Sequence, residues 1–445
     1  MVGTFRPRRL ASVALLGALA FGLAACSLGE YPNSTFNATT DHNADVLSLW
    51  NKLLFWGTIV FVGTELALIY TIFRFRRKPG ETGAPKQVHG NTVLEIAWTA
   101  IPAVILIFIA IPNVRTIFKT QAKASPDALQ VQVIGHQWWW EFRYPQYGIV
   151  TANELYLPNG RTVNFELTTI DVLHSFWIPQ LGGKRDLVTN RKNFLWYTPK
   201  DSLPSSVWNG FCAEYCGTSH ANMRFRSYTV SPEEFEQWAA HQASVAVYPA
   251  AAPAIPAVPA GAGAVPLTLV QGEVGDAQPQ ARPDSASPGA GQAVQPTASA
   301  PMWVFPVEKL KAEFPHAVPM TKLPEGLSYN EALLANGDAA RGKQAFLMGG
   351  CVGCHTVGGD AIAKGLVGPN LTHVGTRHTI GAGLYENTPL HLALWIKSSP
   401  HMKPGSKMPT IGKGIYDPVL KATKTMGALT DEQIADVVAY LNALK

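Results

Sequence analysis

Two apolar stretches dictate most of what this chain can become. Leu53–Phe73 is long enough to cross a bilayer and holds one charge, Glu65. Ile96–Pro112 is a second such span, apolar throughout. The two read as a helical hairpin over residues 46–118. Arg74, Arg76, Arg77 and Lys78 follow the first span at once, which puts that end on the cytoplasmic side and both chain ends outside. Trp50, Trp56 and Trp98 fall near the span ends, where aromatic belts lie. Pro102 and Pro112 are placed to kink the second helix. Charged residues are 15% and hydrophobics 47% of 445 residues, the balance of membrane segments diluting soluble domains. The net charge of +5 is mild, and no basic stripe carries interleaved aromatics, so nucleic acid is not an expected partner.

Residues 1–25 read as a secretory signal, with Arg6, Arg8 and Arg9 before an apolar run. Leu23-Ala24-Ala25-Cys26 resembles a bacterial lipoprotein processing site, which predicts a lipidated Cys26 outside the membrane. An ordinary signal peptide and an uncleaved first helix are the alternatives. Residues 26–45 are polar and read as an irregular extracytoplasmic segment.

From Leu129 the pattern changes to short strands: Leu129–Ile134, Thr162–Thr169, Asn193–Tyr197 and Arg224–Val230. With Gly and Pro turns between them, they predict a β-sandwich or barrel over residues 125–243. Within it, Cys212, Cys216, His220 and Met223 follow C-x3-C-x3-H-x2-M. Two thiolates, an imidazole and a thioether suit copper. One copper of the blue type needs a single Cys, so the second sulfur makes a dinuclear centre feasible. His174 is the best candidate for a second imidazole. Against this, a disulfide would leave His220 and Met223 unexplained, and a redox pair usually has C-x-x-C spacing. Ser231, Pro232, Glu233 and Glu234 then open a short helix to about residue 243.

An Ala/Pro-rich stretch over residues 244–329 has too few bulky apolar residues to build a core and reads as a tether. About 55 such residues reach roughly 40 Å as a coil. Residues 330–445 form a further module. Cys351-Val352-Gly353-Cys354-His355 is the C-x-x-C-H attachment motif of c-type haem. A zinc site would need a second ligand pair, which is missing here. Ala339–Met348 suits a helix leading into the motif. Thr430–Leu444 suits a terminal helix capped by Thr430, with Ile434, Val437, Val438 and Leu441 at helical spacing.

The copper-type loop, Asp171-Val172-Leu173-His174-Ser175 and Gly135-His136-Gln137-Trp138-Trp139-Trp140 together resemble the CuA domain of cytochrome c oxidase subunit II. The resemblance implies a cupredoxin-like Greek-key fold and a dinuclear copper A held by His174, Cys212, Glu214 through its carbonyl, Cys216, His220 and Met223. It further implies that the Glu214 carboxylate holds magnesium at the boundary with subunit I. It makes Trp138 the point of electron input, against the plain alternative of a core aromatic. It makes Glu95 the mouth of a proton path into subunit I, against an ordinary interfacial Glu. Where relatives often have Pro-Gly after Lys184-Arg185-Asp186, this chain has Leu187-Val188-Thr189-Asn190-Arg191.

The C-terminal module resembles an all-α class I cytochrome c, in which Cys351 and Cys354 hold haem c covalently and His355 ligates its iron. Met408, before Pro409, matches the sixth ligand; Met402 and Met426 are rivals. The whole resembles the caa-type terminal oxidases of bacterial membranes. That predicts an electron relay from a cytochrome c or respiratory complex, through haem c and copper A, to subunit I, where oxygen becomes water with proton translocation. Other oxidase subunits and the lipid bilayer are the remaining expected partners. A CuA-bearing nitric oxide reductase subunit and a lipid-anchored metal carrier are the alternatives.

Overall fold

A computed structural model describes residues 33–246 except 81, 85, 86, 88 and 89, then 302–306 and 321–445, with the isolated positions Gly17 and Glu308. The signal segment, Cys26 and residues 247–301 lie outside the described residues.

The hairpin is made of α1 (Asp41–Arg74) and α2 (Thr92–Gln121). Both are longer than their apolar stretches. α1 takes in residues 41–45, which the sequence reading placed in an irregular segment. The reason is a cap: the Thr40 hydroxyl accepts the Asn43 N–H at 3.1 Å and itself donates to the Leu181 carbonyl at 2.6 Å. α2 is capped by Asn91, which accepts the Leu94 N–H at 3.2 Å. Pro102 and Pro112 both lie inside this continuous helix. Trp56 stacks on Phe108 with ring centroids 5.6 Å apart, and most other apolar side chains of the hairpin face outward.

Two five-stranded sheets follow. One has the order β3-β2-β1-β5-β8, from Ile149–Ala152, Trp139–Tyr144, Leu129–His136, Val163–Thr169 and Asn193–Tyr197. The other runs β4-β10-β9-β6-β7, from Glu154–Pro158, Arg224–Val230, Ser206–Cys212, His174–Trp177 and Arg185–Leu187. The pairs β1/β5 and β4/β10 are parallel and the rest antiparallel, as a Greek-key crossover requires. All four expected strands are present, and β1 buries Leu129, Val131 and Val133 on one face. Between the sheets Phe176 stacks on Phe225 at 5.1 Å, with Trp140 edge-on to both. Such contacts add about 0.5–1.5 kcal/mol each beyond burial. The turn after β7 closes through a Val188–Arg191 bridge, with Asn190 at φ 61°; Asn tolerates that left-handed geometry where a Pro-Gly pair is absent.

The sheets are tied to the hairpin near the membrane surface. Trp196 Nε1 donates to the Ala122 carbonyl at 2.8 Å, and Arg185 Nη1 to Gln121 Oε1 at 3.0 Å. α3 (Pro232–Ala243) opens at Ser231 as expected; a Ser231/Glu234 capping box holds that end, and Phe235 and Trp238 pack on the β-domain. Part of the stretch expected to be a tether is docked: Phe305 is 2% exposed and lies 5.0 Å from the Tyr228 ring. Trp303 and Phe305 are bulky apolar residues within it, and they have a core to join.

The C-terminal module is built on α4 (Ala339–Met348), α5 (Pro389–Met402) and α6 (Asp431–Ala443). Two two-residue ladders, β11/β12 (Thr379–Ile380, Tyr385–Glu386) and β13/β14 (Tyr416–Asp417, Ala422–Thr423), accompany them. α4 meets α6 through Phe346 and Tyr440, 5.4 Å apart, and through the Arg341–Asp436 pair at 2.7 Å.

This module rests on the β-domain along a polar seam. The buried Glu154 carboxylate accepts the N–H groups of His378 and Thr379 at 2.7 and 3.0 Å. His241 of α3 faces His373 with ring centroids 4.7 Å apart, and His373 Nε2 lies 3.1 Å from the Ser244 carbonyl. Burial, then the facing His241, pushes His373 down to about 4. Burial lowers His241 as well. The released histidines bind protons near the usual 6.5 or so, so lowered values destabilise the seam on acidification. The loss should begin below about pH 6.5 and continue to the folded value; at pH 5 His373 alone costs about 2 kcal/mol. Thermal melts across pH 4–7 check this, and His373→Gln should flatten the profile.

Candidate metal centre and haem-binding motif

The end of β9 delivers Cys212, and a short 3-10 turn, His220–Asn222, folds His220 and Met223 back over Cys216. β6 pairs with β9 so that Phe176 faces Cys212, which brings His174 to the same end of the sheet. Thus residues 38 positions or more apart converge because two strands are neighbours.

The two sulfurs are 3.8 Å apart, too far for a disulfide, which needs about 2 Å, and suited to bridging. His174 Nδ1 lies 3.7 Å from Cys212 Sγ, and His220 Nδ1 3.6 Å from Cys216 Sγ. Met223 Sδ is 3.9 Å from Cys216 Sγ, and the Glu214 carbonyl 3.2 Å from Cys212 Sγ. The ligand atoms of His174, Cys212 and Cys216 all fall within 4.8 Å of one another. Thiolates, imidazoles, a thioether and a carbonyl around one point fit copper in its softer states. The electrostatics agree. Cys216 pulls Cys212 down to about 4, and Cys216 is pushed up in turn. Two neighbouring thiolates need positive charge between them.

His174 is wholly buried, and its Nε2 meets Asp171 Oδ1 at 3.0 Å, turning Nδ1 toward the sulfur. Asp171 also accepts the Gln137 N–H at 2.7 Å. Burial works against the Asp171 charge, yet His174 and these amides hold its carboxyl below the usual range. Outer partners of this kind set ligand orientation. Asp171→Asn should weaken copper binding by about 10–100-fold, with the sheets still folded, as a copper titration of the metal-free chain would show. Asp171 was visible in the sequence three residues before His174, but only the fold gives it this task.

Trp138 is half-buried beside the loop rather than in the core; its Nε1 donates to the Cys216 carbonyl at 2.9 Å. Trp140 is core, and Trp139 stacks on His136 at 3.9 Å. His136 is buried and pairs with Glu141 at 3.0 Å, a structural role. The Glu214 side chain is exposed. Glu95 is exposed in the first turn of α2, where Oε1 accepts the Asn91 N–H at 3.2 Å.

In the C-terminal module Cys351 to Gly353 form a short 3-10 turn, and His355 Nδ1 lies 2.8 Å from the Pro369 carbonyl. That contact fixes the tautomer, with the proton on Nδ1 and the lone pair on Nε2. Cys351 is a half-buried and Cys354 an exposed free thiol, both of a kind that adds to vinyl groups. The motif and its held imidazole fit a c-type haem. Met408 is partly buried against the core, with its carbonyl accepting the Ser399 hydroxyl at 2.6 Å. Met402 is 3% exposed inside the core, and Tyr385 donates to its carbonyl at 2.7 Å.

A membrane-held cupredoxin domain with a sulfur-rich metal loop, joined to a c-type cytochrome, is an electron-transfer protein of the respiratory type. Residues 33–116 match the family described as cytochrome c oxidase subunit II, transmembrane domain, and residues 149–230 its periplasmic domain. Residues 339–445 match cytochrome c. The chain is 30% identical to cytochrome c oxidase subunit 2 of Bacillus sp. (strain PS3), over 83% of this chain and 80% of that relative. It is 29% identical to the corresponding protein of Alkalihalophilus pseudofirmus, over 87% and 85%. With that of Bacillus subtilis it shares 45% over 38% and 51%. The chain belongs to the cytochrome c oxidase subunit II family and carries a cytochrome c domain at its C-terminal end. It is an oxidase subunit with extracytoplasmic domains, and its family implies copper and haem c as cofactors and subunit I among its partners.

Proposed function

We propose that the chain relays electrons from its own haem c to a dinuclear copper A and on to subunit I, where oxygen is reduced to water and protons are translocated. When bound, the haem and the copper pair each supply a one-electron carrier. The observation that carries this reading is the position of Trp138. Its Nε1 holds the Cys216 carbonyl, and its ring packs on Gly405 of the 403–408 loop that ends in Met408. One indole therefore touches both the copper loop and the haem-side loop.

The chain's own residues have distinct tasks in this scheme. Cys212 and Cys216 would hold the copper through their sulfurs, and His174, His220, Met223 and the Glu214 carbonyl would complete its ligand set. The rigid β-sandwich holds these groups in nearly one geometry in both oxidation states, so little rearrangement opposes transfer. His355, held by the Pro369 carbonyl, and Met408 would ligate the haem iron. A Met ligand favours a higher potential than a second His. Met408→Ala should abolish the low-spin Met–iron charge-transfer band, while Met402→Ala should keep it and lower stability by about 2–5 kcal/mol.

Four further assignments complete the reading. Glu95, exposed at the cytoplasmic start of α2, lies at the mouth of a proton path into subunit I. The exposed Glu214 carboxylate holds magnesium at that subunit's boundary, where partner groups and water must supply its other ligands. Cys26 carries a lipid anchor. Residues 247–301 tether the cytochrome, giving an effective concentration up to about the mM scale. The donor is a cytochrome c or respiratory complex that reduces the attached haem.

Metal analysis with flash reduction tests the relay. The purified chain should hold two coppers and one haem c, and in the intact oxidase an electron placed on haem c should appear at this chain's copper before it reaches subunit I. A single copper, or haem oxidation that bypasses copper, would refute it.

A further inference from the structure

Lys403 ends α5 and lies in the seam between the two soluble domains, 4% exposed. Among the described residues no carboxylate lies within ion-pair distance of it. Its ammonium donates instead to two carbonyls, that of Trp138 in the β-domain and that of Gly381 in the β11–β12 turn, the latter at 3.4 Å. A long side chain buried this way is a costly filler, because its charge is met only by carbonyl dipoles. Its placement is specific. The next residue's carbonyl, on Pro404, accepts the Ser219 hydroxyl of the copper loop.

Around Lys403 the Trp138 indole is pressed between two glycines of positive φ. Gly217 of the copper loop has φ +109°, and a Cβ there would stand 3.1 Å from Trp138 Cζ2. Gly405 has φ +81°, and a Cβ there would stand 2.9 Å from Cζ3 and 3.0 Å from Cη2. Neither loop could carry a side chain at that point without moving the ring. The indole edge is fixed by Cys216, the backbone of the same tryptophan by Lys403. The Lys403 carbonyl in turn accepts the Ser406 N–H at 3.0 Å, closing the turn over the ring.

We propose that Lys403 is a positioning residue for electron input: its ammonium anchors Trp138 and keeps the indole in contact with the 403–408 loop. This rests on the relay reading and adds to it which group sets the distance between the two loops. The lysine touches neither metal centre; it acts through Trp138. Burial pushes Lys403 down to about 7, with the neighbouring Cys216 acting in the opposite direction.

The test uses the intact oxidase with K403M, which keeps the stem and removes the donors, and K403Q, which restores a donor. Flash reduction of haem c should show transfer to copper slowed about 10- to 100-fold in K403M, with K403Q between it and the wild type. Copper and haem content should not change, and for a soluble donor kcat should fall at constant KM. In the metal-free chain, hydrogen exchange should rise at residues 404–407 and near Trp138 but not at His378 and Thr379, which Glu154 anchors. Wild-type transfer rates in both variants would overturn the proposal. So would a rise in exchange at 378–379 equal to that at 404–407, which would make Lys403 one more seam contact. A wild-type oxidase that moves no electron from haem to copper would overturn the relay itself.

Discussion

Cys216→Ser is expected to leave the chain unable to hold two coppers, and oxidase turnover should fall by more than the 10–100-fold or so typical of outer-shell changes. Cys216 Sγ has three other ligand groups of the site around it. It lies 3.8 Å from Cys212 Sγ, 3.6 Å from His220 Nδ1 and 3.9 Å from Met223 Sδ. A serine hydroxyl is a hard donor that stays protonated at neutral pH, so it cannot bridge two soft ions as a thiolate does. The fold should survive, because Ser is close to Cys in size and the Cys216 carbonyl keeps its bonds from Trp138 and Gln137. Metal quantitation beside a circular dichroism spectrum checks both halves. Two retained coppers would show that Cys216 is not the bridge.

Glu154→Ala should release the cytochrome domain from its seat. The carboxylate is 3% exposed and accepts two backbone N–H groups across the seam. Removing it strands both donors in a dry contact. Truncating a buried charge-assisted pair costs about 2–5 kcal/mol, roughly 30- to 4,000-fold in the docked fraction. The tether offsets part of this by keeping the domain near. Hydrogen exchange at residues 378–381 should rise sharply, while the 212–223 loop exchanges as before. Glu154→Gln, which keeps one acceptor, should lie between. Unchanged protection would mean that the seam is held elsewhere, by Lys403 and Ser219.

The two predictions bear on different kinds of information. The copper loop was legible because its ligands sit within a dozen residues, at a spacing that few other roles explain. The C-x-x-C-H motif was legible for the same reason. Two helices were legible from their starts: Ser231 and Thr430 stand at the N-caps as expected, and the apolar face of α6 is buried as its spacing requires. His174 was singled out among twelve histidines only by its place in a β-rich run, and the pairing of β6 with β9 is what carries it to the loop.

What the amino-acid sequence alone determined was therefore local: two membrane spans, a β-rich domain, a sulfur-rich loop and a haem motif. Each depends on residues close together in the chain. What only the tertiary structure decided was contact between distant segments. Asp171 became the orienter of His174, Trp303 and Phe305 left the expected tether for a core, and Glu154 and Lys403 became fastenings between domains. Glu154 and Thr379 are separated by 225 positions. A carboxylate on an edge strand and a lysine at a helix end have no pattern that names their partners, because those partners are backbone atoms, which every residue carries alike.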